Sequence, residues 1–189
     1  MSDLEKVYKD FNSRLWVTKG ARFNAYRRLT RKQNASIFSI SILTLYVLIL
    51  STLPANEATK SLIAPVSILA SVFILILSLL EARKSYEVKA DRLHNNAIAL
   101  NALYSQWELA KNQSEKEKVI NDYHSLIKSC PENHEPCDDL LFRSQHPHEF
   151  KLDKCEVIWI QAKNFIGTYW LYVVLVVSPG VLYFYSHFS

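Results

Sequence analysis

Apolar residues along this chain are segregated into three charge-free runs, at residues 35–53, 62–80 and 165–185, separated by stretches dense in Lys, Arg, Asp and Glu. A helix needs roughly 20 apolar residues to cross a hydrocarbon core, so each run predicts a membrane-spanning helix. Before the first run, Leu4, Val7, Phe11 and Leu15 recur at helical spacing, which predicts an amphipathic helix over residues 3–32. Only residues 54–61 (PANEATKS) separate the first two runs, so these form a membrane hairpin. Pro65 falls in the first turn of the second run, where a missing amide proton costs little.

No Pro or Gly interrupts the chain between Leu80 and Lys111, and the second helix is expected to continue into water as far as about Lys111. Ser114 followed by Glu117 has the form of a capping box, and Val119, Ile120, Tyr123 and Ile127 give the next helix an apolar face. Residues 131–147 lose periodicity and predict a folded loop with at most a short helix near 138–143. A last helix starts near Leu152 and enters the third run. Tyr169, Trp170, Tyr172, Tyr183 and Tyr185 form aromatic belts near its ends, while Ser178, Pro179 and Gly180 leave a re-entrant or buried helix as the competing reading. The expected fold is all-α: a cytoplasmic basic helix (1–34), a transmembrane hairpin (35–80), a cytoplasmic helical region (81–164) and a C-terminal transmembrane helix with a short outside tail (165–189).

Composition narrows this picture further. The 3 Gly in 189 residues and the scarcity of period-2 alternation argue against a transmembrane β-barrel with Gly-rich turns. The charged first thirty residues do not form a signal peptide, so the first span is expected to remain in the mature protein. Lys and Arg crowd the segments before the first run, after the second and before the third, which places the N-terminus and main body in the cytosol and the C-terminus outside the inner membrane. Cys130, Cys137 and Cys155 are too few and odd in number for a disulfide framework and fit a reducing compartment.

Several groups carry candidate chemistry. On a helical wheel Ser67, Ser71 and Ser78 fall within roughly 40° of one another, with Ile74 among them and Glu81 extending the stripe. One reading is a pore wall with Ile74 as a dewetting gate and Glu81 as a charge ring; the other is close helix packing through small residues. Arg22, Arg27, Arg28, Arg31 and Lys32 could bind the phosphates of a ligand, or could serve to fix topology and meet lipid headgroups. Cys130, His134 and Cys137, with His146 and His148 nearby, invite a zinc reading, but C-x3-H-x2-C is not a standard ligand spacing. No metal or cofactor is expected. A Cys and His pair is present without a visible oxyanion donor, so no enzyme is expected and no catalytic residue is assigned. Neither clean span carries the midplane charge of a transporter. A net charge of only +4 and the lack of a reading motif give no indication of sequence-specific nucleic-acid recognition.

The basic helix ending ARFNAYRRLTRKQN (residues 21–34), the tight membrane hairpin, the charged helix that leaves it and ENHEPCDDLLF (residues 132–142) together resemble the SLATT proteins, membrane effectors associated with bacterial nucleotide-signalling defence systems. The branch with a C-terminal membrane helix carries a Glu-Asn-His element followed by an Asp, here Glu132, Asn133, His134 and Asp138 or Asp139. The resemblance implies a pore-forming or channel effector encoded beside a nucleotidyltransferase that makes a nucleotide or short nucleic-acid signal; the chain itself is expected to assemble as a homo-oligomer, taken as a tetramer, and to be gated by that signal. Asn133 and His134 join the basic residues as candidate ligand contacts, and membrane lipid is a further expected partner. The competing function is a membrane-anchored adaptor that recruits a cytoplasmic partner without forming a pore.

Overall fold

A computed structural model describes residues 3–52 and 57–188, with side chains described over 4–52, 63–179 and at Val181. Most of the hairpin turn, Tyr183, Tyr185 and the C-terminal tail therefore lie wholly or in their side chains outside the described residues. The described chain is all-α, with no strand among these residues: α1 (Asp3–Thr52), α2 (Glu57–Arg83), α3 (Tyr86–Leu109), α4 (Gln113–Ser129), α5 (Pro136–Gln145), α6 (Pro147–Phe150) and α7 (Lys154–Phe188). It divides into two compact units, each discontinuous in sequence: Met1–Thr30 with Glu87–Ile166, and Arg31–Tyr86 with Gly167–Ser189.

In the first unit, Phe11 and Leu15 of α1 pack with Leu100, Leu103 and Trp107 of α3 and with Val119 and Tyr123 of α4. Phe11 holds the rings together, 4.8 Å from Trp107 and 5.3 Å from Tyr123 between centroids. Leu4 and Val7, expected on the buried face, are exposed. The reason is local: Trp107, near the end of α3, already packs on Tyr8, so the first turn of α1 extends beyond the bundle. Gly20 lies mid-helix because the Phe142 ring of α5 comes against the backbone there; a Cβ at that position would lie 2.0 Å from two ring carbons. The cap of α4 also differs from expectation. Asn112 rather than Ser114 closes it, its side chain accepting from Glu115 N at 2.9 Å, while Glu115 Oε2 accepts from Lys111 N at 2.8 Å.

The second unit contains the three helical stretches long and apolar enough to cross a membrane, in α1, α2 and α7. Their apolar side chains are widely exposed, including Phe38, Leu48, Leu69, Leu75, Leu79 and Trp170, as suits surfaces solvated by lipid. Hydroxyls in the spans turn back onto their own helices: Ser39 donates to Ala35 O at 2.7 Å, Thr44 to Ile40 O at 2.8 Å and Ser71 to Ser67 O at 2.8 Å. Each donor is thereby satisfied without water.

The expected unbroken helix from the second span to Lys111 is interrupted. Lys84 N and Ser85 N bond to Glu81 O and Ala82 O three residues back, Ser85 takes φ 50, and the chain restarts at Tyr86. A left-handed non-glycine residue costs about 1–2 kcal/mol. That cost is met where the side chains of the same turn are held: Glu81, 8% exposed, takes an ion pair from Lys84 and a hydrogen bond from Tyr172 Oη at 3.2 Å. Such a break depends on a distant tyrosine and has no Gly or Pro to announce it.

Candidate functional site

The basic stretch of α1 and the Glu132–Phe142 segment meet in the first unit. Arg28 is 5% exposed and forms a two-pronged pair with Asp138, Nε to Oδ1 at 2.8 Å and Nη2 to Oδ2 at 3.0 Å. Glu135 adds a second carboxylate 3.0 Å from Nη2. Asp138 is fully buried, accepts from Glu135 N at 2.8 Å at the start of α5, and its carbonyl accepts from Asn24 Nδ2 at 3.3 Å. Burial alone would lower the Arg28 guanidinium, but its bonds to Asp138 and the charge of Glu135 outweigh that and raise it, so the charged form is strongly held. Of the two aspartates left open by the sequence, Asp138 is therefore the one facing α1. Asp139 instead pairs with Arg143 on its own helix at 3.0 Å.

Arg22 is 2% exposed and donates through Nη1 to Asn96 Oδ1, and Asn96 Nδ2 passes the chain on to Leu126 O at 2.8 Å. Arg27 is exposed and reaches Asn24 Oδ1 at 3.4 Å. Arg31 is exposed and Lys32 half-buried, both at the start of the second unit. Asn133 is exposed, its Oδ1 accepting from His134 N at 2.9 Å. Two of the five basic residues are thus committed to internal partners, and the others face outward to differing degrees.

His134 is half-buried, with Nδ1 buried and unpartnered among the described residues. Burial, then the charge of Arg22, lowers its imidazole below the ordinary 6.5, against the opposing pull of Asp138 and Asp139. A depressed folded value means that the unfolded chain takes up the proton first. The contribution of neutral His134 to stability is therefore complete above about pH 6.5 and is lost as pH falls through the folded value. Thermal melts of the detergent-solubilised chain between about pH 7.5 and 5.5 should show a steeper loss of stability in the parent than in His134→Gln. Identical slopes in the two proteins would remove His134 from the acid response.

Cys130 Sγ lies 3.3 Å from Glu132 O, and Cys137 Sγ lies 3.8 Å from Glu135 Oε2. Among the described residues no group of three His, Cys, Asp or Glu side chains converges as metal ligands would.

In the second unit, the stripe on α2 runs along its more covered face. Ser67, Ile74 and Ser78 are half-buried, Ser71 is exposed and Glu81 is buried. Ser78 donates to Ile74 O at 2.8 Å, and Ser67 Oγ is buried without a partner among the described residues. Ile74 borders a cavity of about 330 Å³ whose other walls include Leu43 and Tyr46 of α1 and Leu175 and Ser178 of α7.

Asn24, Asn96 and Glu135 were not singled out from the sequence, and Tyr172 was read only as part of an aromatic belt. Asn96 had a signal, since it occupies a core register among Leu93, Ala97, Leu100 and Leu103, where a polar side chain needs a buried partner. Tyr172 had none, because an interfacial tyrosine is ordinary in a membrane helix.

The model of the SMODS and SLOG-associating 2TM effector domain family 5 matches residues 4–185. The chain belongs to the SLATT family. The SLATT match begins in α1 and runs into α7, so it includes the third apolar helix in addition to the two spans that the family's description counts. SLATT domains are membrane effectors linked to nucleotide-signalling defence systems and are not a known enzyme family. No curated protein and no solved structure matches the chain. In this SLATT chain the aspartate that follows the Glu-Asn-His element, Asp138, is the one that pairs with Arg28 of α1.

Proposed function

We propose that this SLATT protein is a pore-forming effector of a bacterial anti-phage system. It assembles as a homo-oligomer in the inner membrane, with its N-terminus and helical body in the cytosol and its C-terminus outside. It conducts ions when a nucleotide or short nucleic acid made by a partner nucleotidyltransferase binds. The observation that carries the reading is the charge-free run of α2, residues 62–80, with Ser67, Ser71 and Ser78 along one face, Ile74 between them and the buried acid Glu81 just beyond its end. Family membership supports the effector role. For the signal, exposed Arg27 and Asn133, with His134, are the proposed contacts, whereas Arg22 and Arg28 contribute by holding α1 in place.

Ion flux from liposomes containing the purified chain, with and without added nucleotides, tests the proposal. Ile74→Ser should wet the constriction and raise basal flux, while Leu75→Ser, on the 60% exposed neighbouring face, should leave it near the parent level. Equal effects at the two positions would assign the stripe to packing. Flux no greater than from protein-free vesicles under every nucleotide tested would favour the membrane-anchored adaptor.

A further inference from the structure

In the second unit α1 and α7 enclose a cavity of about 380 Å³, within the size range of small-molecule sites. Each helix contributes positions spaced i, i+3, i+4, i+7 and i+8, starting from Arg31 on α1 and Tyr169 on α7, so one face of each helix lines it over about two turns. The lining changes character along both helices in the same direction. Arg31 and Asn34, immediately before the charge-free run, stand at one end with Tyr169. Phe38, Val173, Val176 and Val177, inside the spans, line the other.

We propose that this groove is a binding site for one anionic glycerophospholipid, its phosphate on Arg31 and Asn34 and an acyl chain along the valines. The groove is graded as the ligand is: a cation and an amide at headgroup level, then only apolar surface at acyl depth. The lining contains one cation and no carboxylate, so its charge complements a phosphate. Arg31 is exposed and has no ion pair among the described residues. Phe38, Val173 and Val177 are each more than half exposed, which leaves the groove open sideways as an acyl chain entering from the bilayer requires. Two hydroxyls of the lining are turned away: Tyr172 Oη donates to Glu81, and Ser39 Oγ donates to its own helix. Because Tyr172 lines the groove and also holds the Glu81 turn, lipid occupancy bears directly on the packing of α7 against the end of α2.

Native mass spectrometry of the full chain released from detergent, with phosphatidylglycerol or phosphatidylcholine added, tests this site. One phosphatidylglycerol per protomer should survive at energies that strip phosphatidylcholine. Arg31→Gln should weaken it about fivefold, the effect of one basic residue near an anionic headgroup. Val176→Trp, which fills the apolar end, should abolish retention, and Lys163→Gln, a cation outside the groove, should leave it intact. Glycerophosphoglycerol without acyl chains should not compete, which separates a lipid from a free phosphate ligand. Equal retention of the two lipids, or unchanged retention in Arg31→Gln, would mean that only unselective boundary lipid binds here. Loss of retention in Lys163→Gln equal to that in Arg31→Gln would overturn the site as well, since diffuse surface charge would then account for it.

Discussion

Replacing Asp138 by Ala is expected to destabilise the first unit by about 3–5 kcal/mol, and Arg28→Ala by a similar amount. The magnitude follows from what remains behind. Asp138 has no solvent exposure and Arg28 only 5%, so removing either partner strands the other charge away from water. Asp138→Ala also strips Glu135 N of its acceptor at the start of α5. The exposed pair Arg92 and Glu132, at 3.3 Å, is the internal contrast: broken by Arg92→Ala, it should cost about 1 kcal/mol or less. Removing both buried charges together, as Arg28→Met with Asp138→Leu, should be milder than either single change because no buried ion is left unpaired, Glu135 being exposed. Thermal melts followed by circular dichroism in detergent read the difference, with the single variants shifted down by on the order of 10 °C or more. Single variants melting like the parent would remove the pair from the set of contacts that hold α5 to α1. The same burial means that reversing Arg28 to Glu cannot probe signal binding, since a third carboxylate would be forced against Asp138 and Glu135.

A Cβ at Gly20 should also be destabilising. It would stand 2.0 Å from Cδ2 and Cε2 of Phe142 and 2.7 Å from Cζ. The ring has little freedom to withdraw, being 6% exposed and enclosed by Trp16 at 4.8 Å and His146 at 4.4 Å. Gly20→Ala gains up to about 1 kcal/mol of helix propensity and loses about 1–3 kcal/mol to overpacking. Gly20→Val keeps the clash, adds a methyl pair and gains less propensity, so it should be clearly destabilising. Phe142→Leu vacates the contested space. Combined with Gly20→Ala it should give a protein more stable than the sum of the two single changes, by about 0.5–3 kcal/mol in a double-mutant cycle. Strict additivity in that cycle would mean that the two positions do not meet.

Helix content and the three membrane-length runs were legible because both are local. Apolar runs of fixed length and apolar residues at helical spacing need no partner to be recognised, and the family resemblance likewise rested on short segments in order. Helix ends were less legible. Asn112, Ser114, Glu115 and Glu117 offer two overlapping caps, and the choice between them depends on which turn the packed helix completes.

What the five basic residues do was beyond the sequence. By composition Arg22, Arg27, Arg28, Arg31 and Lys32 are equivalent juxtamembrane cations. Burial separates them, because a guanidinium can be enclosed only where carboxylates or amides distant in sequence come to meet it, as Asp138, Glu135 and Asn96 do. The sequence could mark Asp138 and Asp139 as alternatives, but they differ by one position on a short helix, and a rotation of about 100° decides which of them faces Arg28. The break at Ser85 follows the same logic, since its backbone conformation is unfavourable by itself and is held by Glu81, Lys84 and a tyrosine on α7. By itself, then, the sequence determined the helical class, the membrane runs and the family. Which polar side chains bind one another, and which are left to face a ligand or a lipid, was decided by tertiary contacts, since an ion pair or a ring against a glycine depends on residues some hundred positions apart.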